Sequence, residues 1–94
     1  MRWRGAEINV FEAALGKTKK LGEFLRRDLK SVQARDDSGM TPLHWASQNG
    51  HKETVRLPMA RGASAFAEDR NGIAPCFLAR EFKHPEIAEL MRCP

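Results

Sequence analysis

The sequence contains no tyrosine, only two cysteines and no long apolar run. A membrane-spanning helix needs roughly 20 consecutive apolar residues, and no stretch approaches that length. The first residues also lack the apolar core of a secretory signal. Cys76 and Cys93 do not form a Cys-x-x-Cys pair, so the pattern predicts neither a disulfide framework nor a zinc knuckle. These absences predict a soluble, unexported chain in a reducing compartment: the cytoplasm, or the nucleus of a eukaryotic cell.

The patterns that carry catalysis or cofactor binding are missing as well. No glycine-rich segment is followed by Lys-Ser or Lys-Thr, as a phosphate-binding loop requires. No serine lies in a nucleophile elbow. His51 and His84 are 33 residues apart, and that spacing recurs throughout the chain, which explains them without a metal site. The sequence therefore predicts a protein with no enzymatic activity, no cofactor and no metal.

The positive charge is concentrated towards the N-terminus. The net charge is +4, with nine Lys or Arg against four acids in residues 1–35 and seven against eight in residues 36–94. Such a basic section leaves open an electrostatic partner, nucleic acid or another polyanion. No aromatic interleaving or groove-reading motif accompanies it, so nucleic acid is the less favoured partner and solvated surface the simpler interpretation. The basic residues concerned are Arg2, Arg4, Lys17, Lys19, Lys20, Arg26, Arg27, Lys30 and Arg35.

The strongest pattern is an internal repeat with a period of 33 residues. One gapless register aligns seven identical pairs: Asp36/Asp69, Gly39/Gly72, Pro42/Pro75, Ala46/Ala79, His51/His84, Glu53/Glu86 and Leu57/Leu90. A weaker copy precedes them, in which Ala13 aligns with Ala46. We therefore divide a single domain of residues 1–94 into three units, 3–35, 36–68 and 69–94. Because no such unit can bury its apolar face alone, the units must stack.

Each unit is predicted to form two short helices followed by a turn. In the middle unit Thr41 caps the first helix, Pro42 occupies its first position, and Asn49-Gly50 ends it. The second helix is predicted over residues 52–61. Pro58 lies inside it and removes one helix hydrogen bond, which predicts a kink or an early end.

These residues resemble a known family. Asp36, Gly39, the run Thr41 to His44, Ala46, Gly50-His51 and Gly62-Ala63 are similar to the ankyrin repeat, whose marks are this period and the sequence T-P-L-H-x-A. The middle unit is the best match, and the flanking units are polar in the manner of N- and C-terminal caps. The resemblance implies an all-α solenoid of helix-turn-helix units joined by hairpin turns. It also implies a protein-interaction module, which we expect to be a monomeric adaptor or inhibitor. The alternative is a polyanion binder that uses the basic N-terminal unit.

The resemblance further implies where a protein partner would bind: along the hairpin tips and the ends of the inner helices. The candidate partner-binding residues are Arg35, Asp37, Ser38, Met40, Gln48, Asn49, Glu68, Arg70, Asn71, Ile73, Glu81 and Phe82. Met40, Ile73 and Phe82 are the candidate apolar anchors, unless they pack against neighbouring loops. The motif residues expected to be structural are Gly39, Thr41, Pro42, Leu43, His44, Ala46 and Gly72, with Thr41 and His44 forming hydrogen bonds within and between repeats.

Overall fold

The fold is given by a computed structural model, which describes residues 10–27 and 29–93. Arg2, Arg4 and the start of the first unit lie outside the described residues. Within them the regular structure is helical, with no strand, and this confirms the predicted all-α class. The α-helices are α1 (Val10–Ala13), α2 (Thr18–Arg27), α3 (Pro42–Asn49), α4 (Lys52–Ala60), α5 (Pro75–Glu81) and α6 (Pro85–Leu90), with a short 3-10 helix at Leu29–Gln33.

The helices form two parallel rows. In the inner row α3 packs between α1 and α5, and in the outer row α4 packs between α2 and α6. Consecutive helices also pack as pairs, α1 with α2, α3 with α4 and α5 with α6. Three helix pairs therefore stack in chain order, as in a solenoid. None of the described helices is long and apolar enough to span a bilayer.

Two apolar clusters lie between the stacked pairs. The larger one joins the second and third pairs and contains the fully buried Leu43, Ala46 and Ala79. Small alanines at this place allow α3 and α5 to approach closely. The smaller cluster joins the first and second pairs around Leu21 and Leu25. Side chains of a second pair complete each cluster: Leu57 and Ala63 of the second repeat pack against the smaller one, as expected of units that stack to bury their apolar faces.

The ends of α3 follow from its sequence. The Thr41 hydroxyl accepts the His44 backbone N–H at 3.3 Å, and Pro42 occupies the first turn, where its missing N–H has no intrahelical partner to lose. Gly50 ends the helix with a φ of 81°. A Cβ at Gly50 would also lie 2.5 Å from Cε1 of His84, so both backbone conformation and space require glycine here.

Of the kink or early end of α4 predicted at Pro58, the early end is wrong, and the kink stays a prediction. The helix continues two residues further, to Ala60. The Pro58 ring is fully buried, so its packing in the core offsets part of the cost of the hydrogen bond that proline cannot make. The helix ends where the Pro58 carbonyl accepts the backbone N–H groups of Arg61 and Ala63, both at 3.0 Å.

The two cysteines are paired, so the prediction that they form no disulfide is also wrong. Cys76 and Cys93 form a disulfide with their Cα atoms 5.7 Å apart. The physical reason is the helix pair itself: Cys76 lies in the first turn of α5, and Cys93 follows the end of α6. A helix pair that folds back on itself brings these two ends together despite the 17 residues between them.

Candidate interaction surface

The turn before α3, residues 36–40, is built around one carboxylate. Oδ1 of Asp36 accepts the backbone N–H groups of Ser38 and Met40, both at 2.9 Å. Gly39 has a φ of 79°, which glycine adopts without strain. Oδ2 of Asp36 accepts the indole N–H of Trp45 at 3.0 Å, so the same carboxylate anchors the turn to α3.

The turn before α5, residues 69–73, has the same construction. Oδ1 of Asp69 accepts the backbone N–H groups of Asn71 at 2.8 Å and Ile73 at 2.9 Å. These bonds stabilise the ionised carboxylate, and the Ile73 bond is the main reason that the pKa of Asp69 lies below its ordinary value. Gly72 has a φ of 78°. The two turns therefore have the same backbone construction and present different side chains at equivalent positions.

Three hydrogen bonds fix the first turn against the second. The guanidinium of Arg35 donates to the carbonyl of Gly39 in the first turn and to that of Glu68 beside the second, both at 2.8 Å. The backbone N–H of Arg70 donates to the Ser38 carbonyl at 3.0 Å. The guanidinium of Arg35, a predicted partner-binding group, therefore holds the turns together. Asp37, Ser38, Arg70 and Asn71 remain exposed on their tips.

Below the turns, Thr41 and His44 connect one repeat to the next. The Thr41 N–H donates to Nδ1 of His44 at 3.0 Å, and Nε2 of His44 donates to the Ile73 carbonyl at 2.7 Å. Because a carbonyl only accepts, Nε2 carries the proton and Nδ1 is the acceptor. The fully buried imidazole is thus a neutral bridge between α3 and the second turn.

The far ends of the inner helices complete the candidate surface. Gln48 and Glu81 are exposed, and Phe82, which caps α5, is 48% exposed. The Asn49 amide donates to the Leu15 carbonyl of the first repeat at 2.9 Å, so this side chain also links neighbouring repeats. The turns precede the inner helices and these residues end them, so both groups belong to the inner row of the stack.

Comparison with known proteins identifies the repeat. A family model described as ankyrin repeats matches three copies over residues 10–93. The chain belongs to the ankyrin-repeat family. It is 31% identical over 88 residues to mouse ankyrin repeat and IBR domain-containing protein 1, a match that covers 94% of this chain and 7% of the relative.

Two further relatives show how widely such a segment occurs. Mouse protein phosphatase 1 regulatory subunit 27 is 30% identical over 76 residues, which is 81% of this chain and 49% of the relative. Human transient receptor potential cation channel subfamily A member 1 is 38% identical over 64 residues, 66% of this chain and 6% of the relative. The chain thus spans less than half the length of these three relatives.

The ankyrin register also reveals a residue that the sequence analysis missed. Leu15 occupies in the first repeat the place that Gln48 and Glu81 occupy in the next two, and it is 40% exposed. The 33-residue spacing is the signal for it, because it aligns Leu15 with the candidate Gln48. An exposed leucine beside the helix ends adds an apolar group to the surface.

The Met40, Ile73 and Phe82 side chains differ in accessibility. Met40 and Ile73, at equivalent places after the two ankyrin turns, are partly buried. Phe82 is about half exposed. Met40 and Ile73 are therefore only partly accessible to a partner. Phe82 is the most accessible of the three apolar side chains.

Stability is expected to fall on mild acidification because of His44. Burial is the main reason that the pKa of His44 lies below 6.5, and it outweighs the Ile73 hydrogen bond and Asp69, which act in the opposite direction. The unfolded chain therefore takes up this proton at a higher pH than the folded chain. The His44 contribution is complete above pH 6.5 and decreases as the pH falls below it.

The melting temperature, followed by circular dichroism from about pH 7.5 to about pH 5.5, measures this contribution. The variant His44→Asn is the control: its melting temperature is lower throughout, but its decrease across this range is smaller than that of the parent chain. Asp69, whose pKa is lowered from 3.8, changes protonation only below this pH range and therefore does not contribute to the decrease in melting temperature. Equal pH slopes in the two proteins would contradict the role given to His44.

Proposed function

We propose that this ankyrin domain is a non-enzymatic protein-interaction module, an adaptor or inhibitor, acting as a monomer. In this proposal it binds a protein partner through the two turns and the ends of the inner helices. The observation that carries it is the pair of identically built turns, tied by Arg35 and by the Arg70–Ser38 backbone bond. Ankyrin repeats are in general protein-binding modules, and one relative is named as a regulatory subunit.

The rigidity of this surface favours recognition. The turn backbones are held by the Asp36 and Asp69 carboxylates and by the bonds between turns, so little backbone freedom is lost on binding. The exposed Asp37, Ser38 and Asn71 are short polar side chains that lose little rotamer entropy. A partner would therefore meet a preformed polar edge.

Affinity would come mainly from the apolar side chains beside that edge. Buried aromatic and apolar anchors contribute most of the energy of typical interfaces, whereas rim charges contribute little. Phe82 and Leu15 are 48% and 40% exposed at the helix ends, and Met40 and Ile73 lie beneath the tips. We expect two turns and three helix pairs to bury less than the ~800 Å² per partner of a standard interface, and therefore expect weak binding, or avidity in a longer array.

An affinity pull-down with the intact chain, followed by titration of the captured protein, tests this proposal. The triple variant Met40→Ala, Ile73→Ala and Phe82→Ala is expected to weaken binding by at least about tenfold, because it removes the apolar anchors. The control is Phe66→Ala with Phe77→Ala, which removes two other exposed phenylalanines that are not among the candidate partner-binding residues. The proposal fails if the triple variant binds the partner as well as the control does.

The cytoplasmic location expected from the sequence is part of the same proposal, with access to the nucleus in a eukaryote. The Cys76–Cys93 disulfide weighs against it, since stable disulfides are rare in reducing compartments. Thiol labelling of the protein in intact cells decides the question. Free thiols support the cytoplasmic location, and a closed disulfide favours an oxidising compartment.

A further inference from the structure

The outer surface of α2 carries a basic face distinct from the candidate interaction surface. Leu21 and Leu25 are buried in the smaller apolar cluster and define the inward side of the helix. The opposite side presents one partly buried acid and four exposed bases: Glu23, Lys19, Lys20, Arg26 and Arg27. Because α2 belongs to the outer row, this face is separate from the turns before α3 and α5.

The next outer helix shows how this chain neutralises such bases. On α4, Nη1 of Arg56 lies 3.2 Å from a carboxylate oxygen of Glu53. Nζ of Lys52 lies 3.6 Å from a carboxylate oxygen of Glu86 on α6. Both basic side chains of α4 therefore have an acidic partner within the protein.

The basic face of α2 is not neutralised in this way. Its one acid, Glu23, lies 3.7 Å from Nζ of Lys20. Lys19, Arg26 and Arg27 form no ion pair with any residue that the structure describes. An excess of three positive charges remains on two turns of helix, where like charges repel each other. An anionic partner would remove that repulsion.

The spacing of the bases indicates the form of the partner. Lys19 and Arg26 are seven residues apart, and so are Lys20 and Arg27. Seven residues of helix advance about 10.5 Å and return to nearly the same face. We propose that this face binds an acidic α-helical segment of a protein, whose carboxylates, also one heptad apart, pair with the two sets of bases.

Other anionic partners fit this face less well. Membrane-surface helices insert apolar side chains, but Leu21 and Leu25 are committed to the core. Single-stranded nucleic acid needs aromatic side chains for stacking, and Phe24, the aromatic residue of α2, is partly buried against the smaller cluster. The bases from Lys19 to Arg27 span only about 12 Å of helix, so they can contact only a few phosphates of a duplex.

Fluorescence anisotropy with a labelled helical peptide tests the proposal on the intact chain. The peptide carries pairs of glutamates one heptad apart, and its control has the same composition with glutamates that do not share a face. We expect the heptad peptide to bind more tightly, and binding to weaken between about 50 mM and about 200 mM salt. Lys19→Gln with Arg26→Gln is expected to weaken binding about tenfold.

The matched control variant is Lys52→Gln with Arg56→Gln, which removes the same charge from α4 and leaves peptide binding within about twofold. Circular dichroism checks that both variants remain folded. Equal binding of the two peptides, or equal losses in the two variants, overturns the proposal. So does tighter binding to a DNA duplex or to phosphatidylserine vesicles than to the heptad peptide. The Met40, Ile73 and Phe82 triple variant binds the peptide normally, because that surface is separate.

Discussion

Replacing Pro58 with leucine is expected to stabilise the protein by about 2 kcal/mol. Proline inside a helix costs ~3 kcal/mol, because it cannot donate to the carbonyl four residues back, here that of Thr54, and its ring crowds that carbonyl. Leucine restores the donor. The gain is smaller than the full cost of proline for two reasons. Leucine is larger than the fully buried proline, so it must be fitted into the core. The unfolded chain also gains conformational freedom when proline is removed, which favours unfolding.

The third repeat shows that the fold accommodates a long apolar side chain at this place. Met91 is the residue one period after Pro58, and it is 2% exposed within the larger apolar cluster. Thermal unfolding by circular dichroism is the measurement, and the expected gain corresponds to roughly 10 °C in a domain of this size. Pro58→Ala separates the restored hydrogen bond from the filling of the core. It restores the N–H but leaves a cavity, so its gain in stability is smaller than that of Pro58→Leu. An unchanged or lower melting temperature for Pro58→Leu contradicts the argument.

The middle repeat could be predicted in detail because its local signals agree with its tertiary environment. Thr41 followed by Pro42 fixes where α3 begins, and Gly50 fixes where it ends, whatever the neighbouring repeats contribute. The 33-residue period then places the second turn and α5 by translation. The fold class and the two rows of helices follow from these few residues.

The features that sequence reasoning missed depend on contacts between distant residues. The pairing of Cys76 with Cys93 requires knowledge of where the ends of α5 and α6 meet. The continuation of α4 past Pro58 requires knowledge that the proline ring is buried. The hydrogen bonds of Arg35 to two turns cannot be read from its repeat position, which predicts only that it lies near the tips.

Reduction of the Cys76–Cys93 disulfide is expected to destabilise the protein by about 3 kcal/mol. Opening a loop of this length returns that much conformational freedom to the unfolded chain. The loss should be concentrated in the third repeat, which is the last of the described stack and packs on one side only, against α3 and α4. The bond joins the start of α5 to the end of α6, so without it α6 is held to the stack by packing alone.

Cys93→Ser is the suitable variant, because Cys93 is partly exposed whereas Cys76 is buried in the larger apolar cluster. Urea unfolding with and without dithiothreitol measures the loss: the reductant lowers the stability of the parent chain and leaves that of the variant unchanged. Hydrogen exchange locates it, with faster exchange in α5 and α6 than in α3. If dithiothreitol leaves the stability of the parent chain unchanged, the role given to the disulfide is wrong.

The same bond connects stability to the proposed interaction surface. Ile73 and Phe82 flank α5, and the second turn is held to the first through Arg70 and to α3 through His44. If reduction loosens α5, the second turn loses its support, and the candidate interaction surface loses its preformed geometry. We therefore expect reduction to weaken partner binding in the parent chain but not in Cys93→Ser, which should bind as weakly as the reduced parent. In a reducing compartment the surface would then operate with this repeat in its looser form.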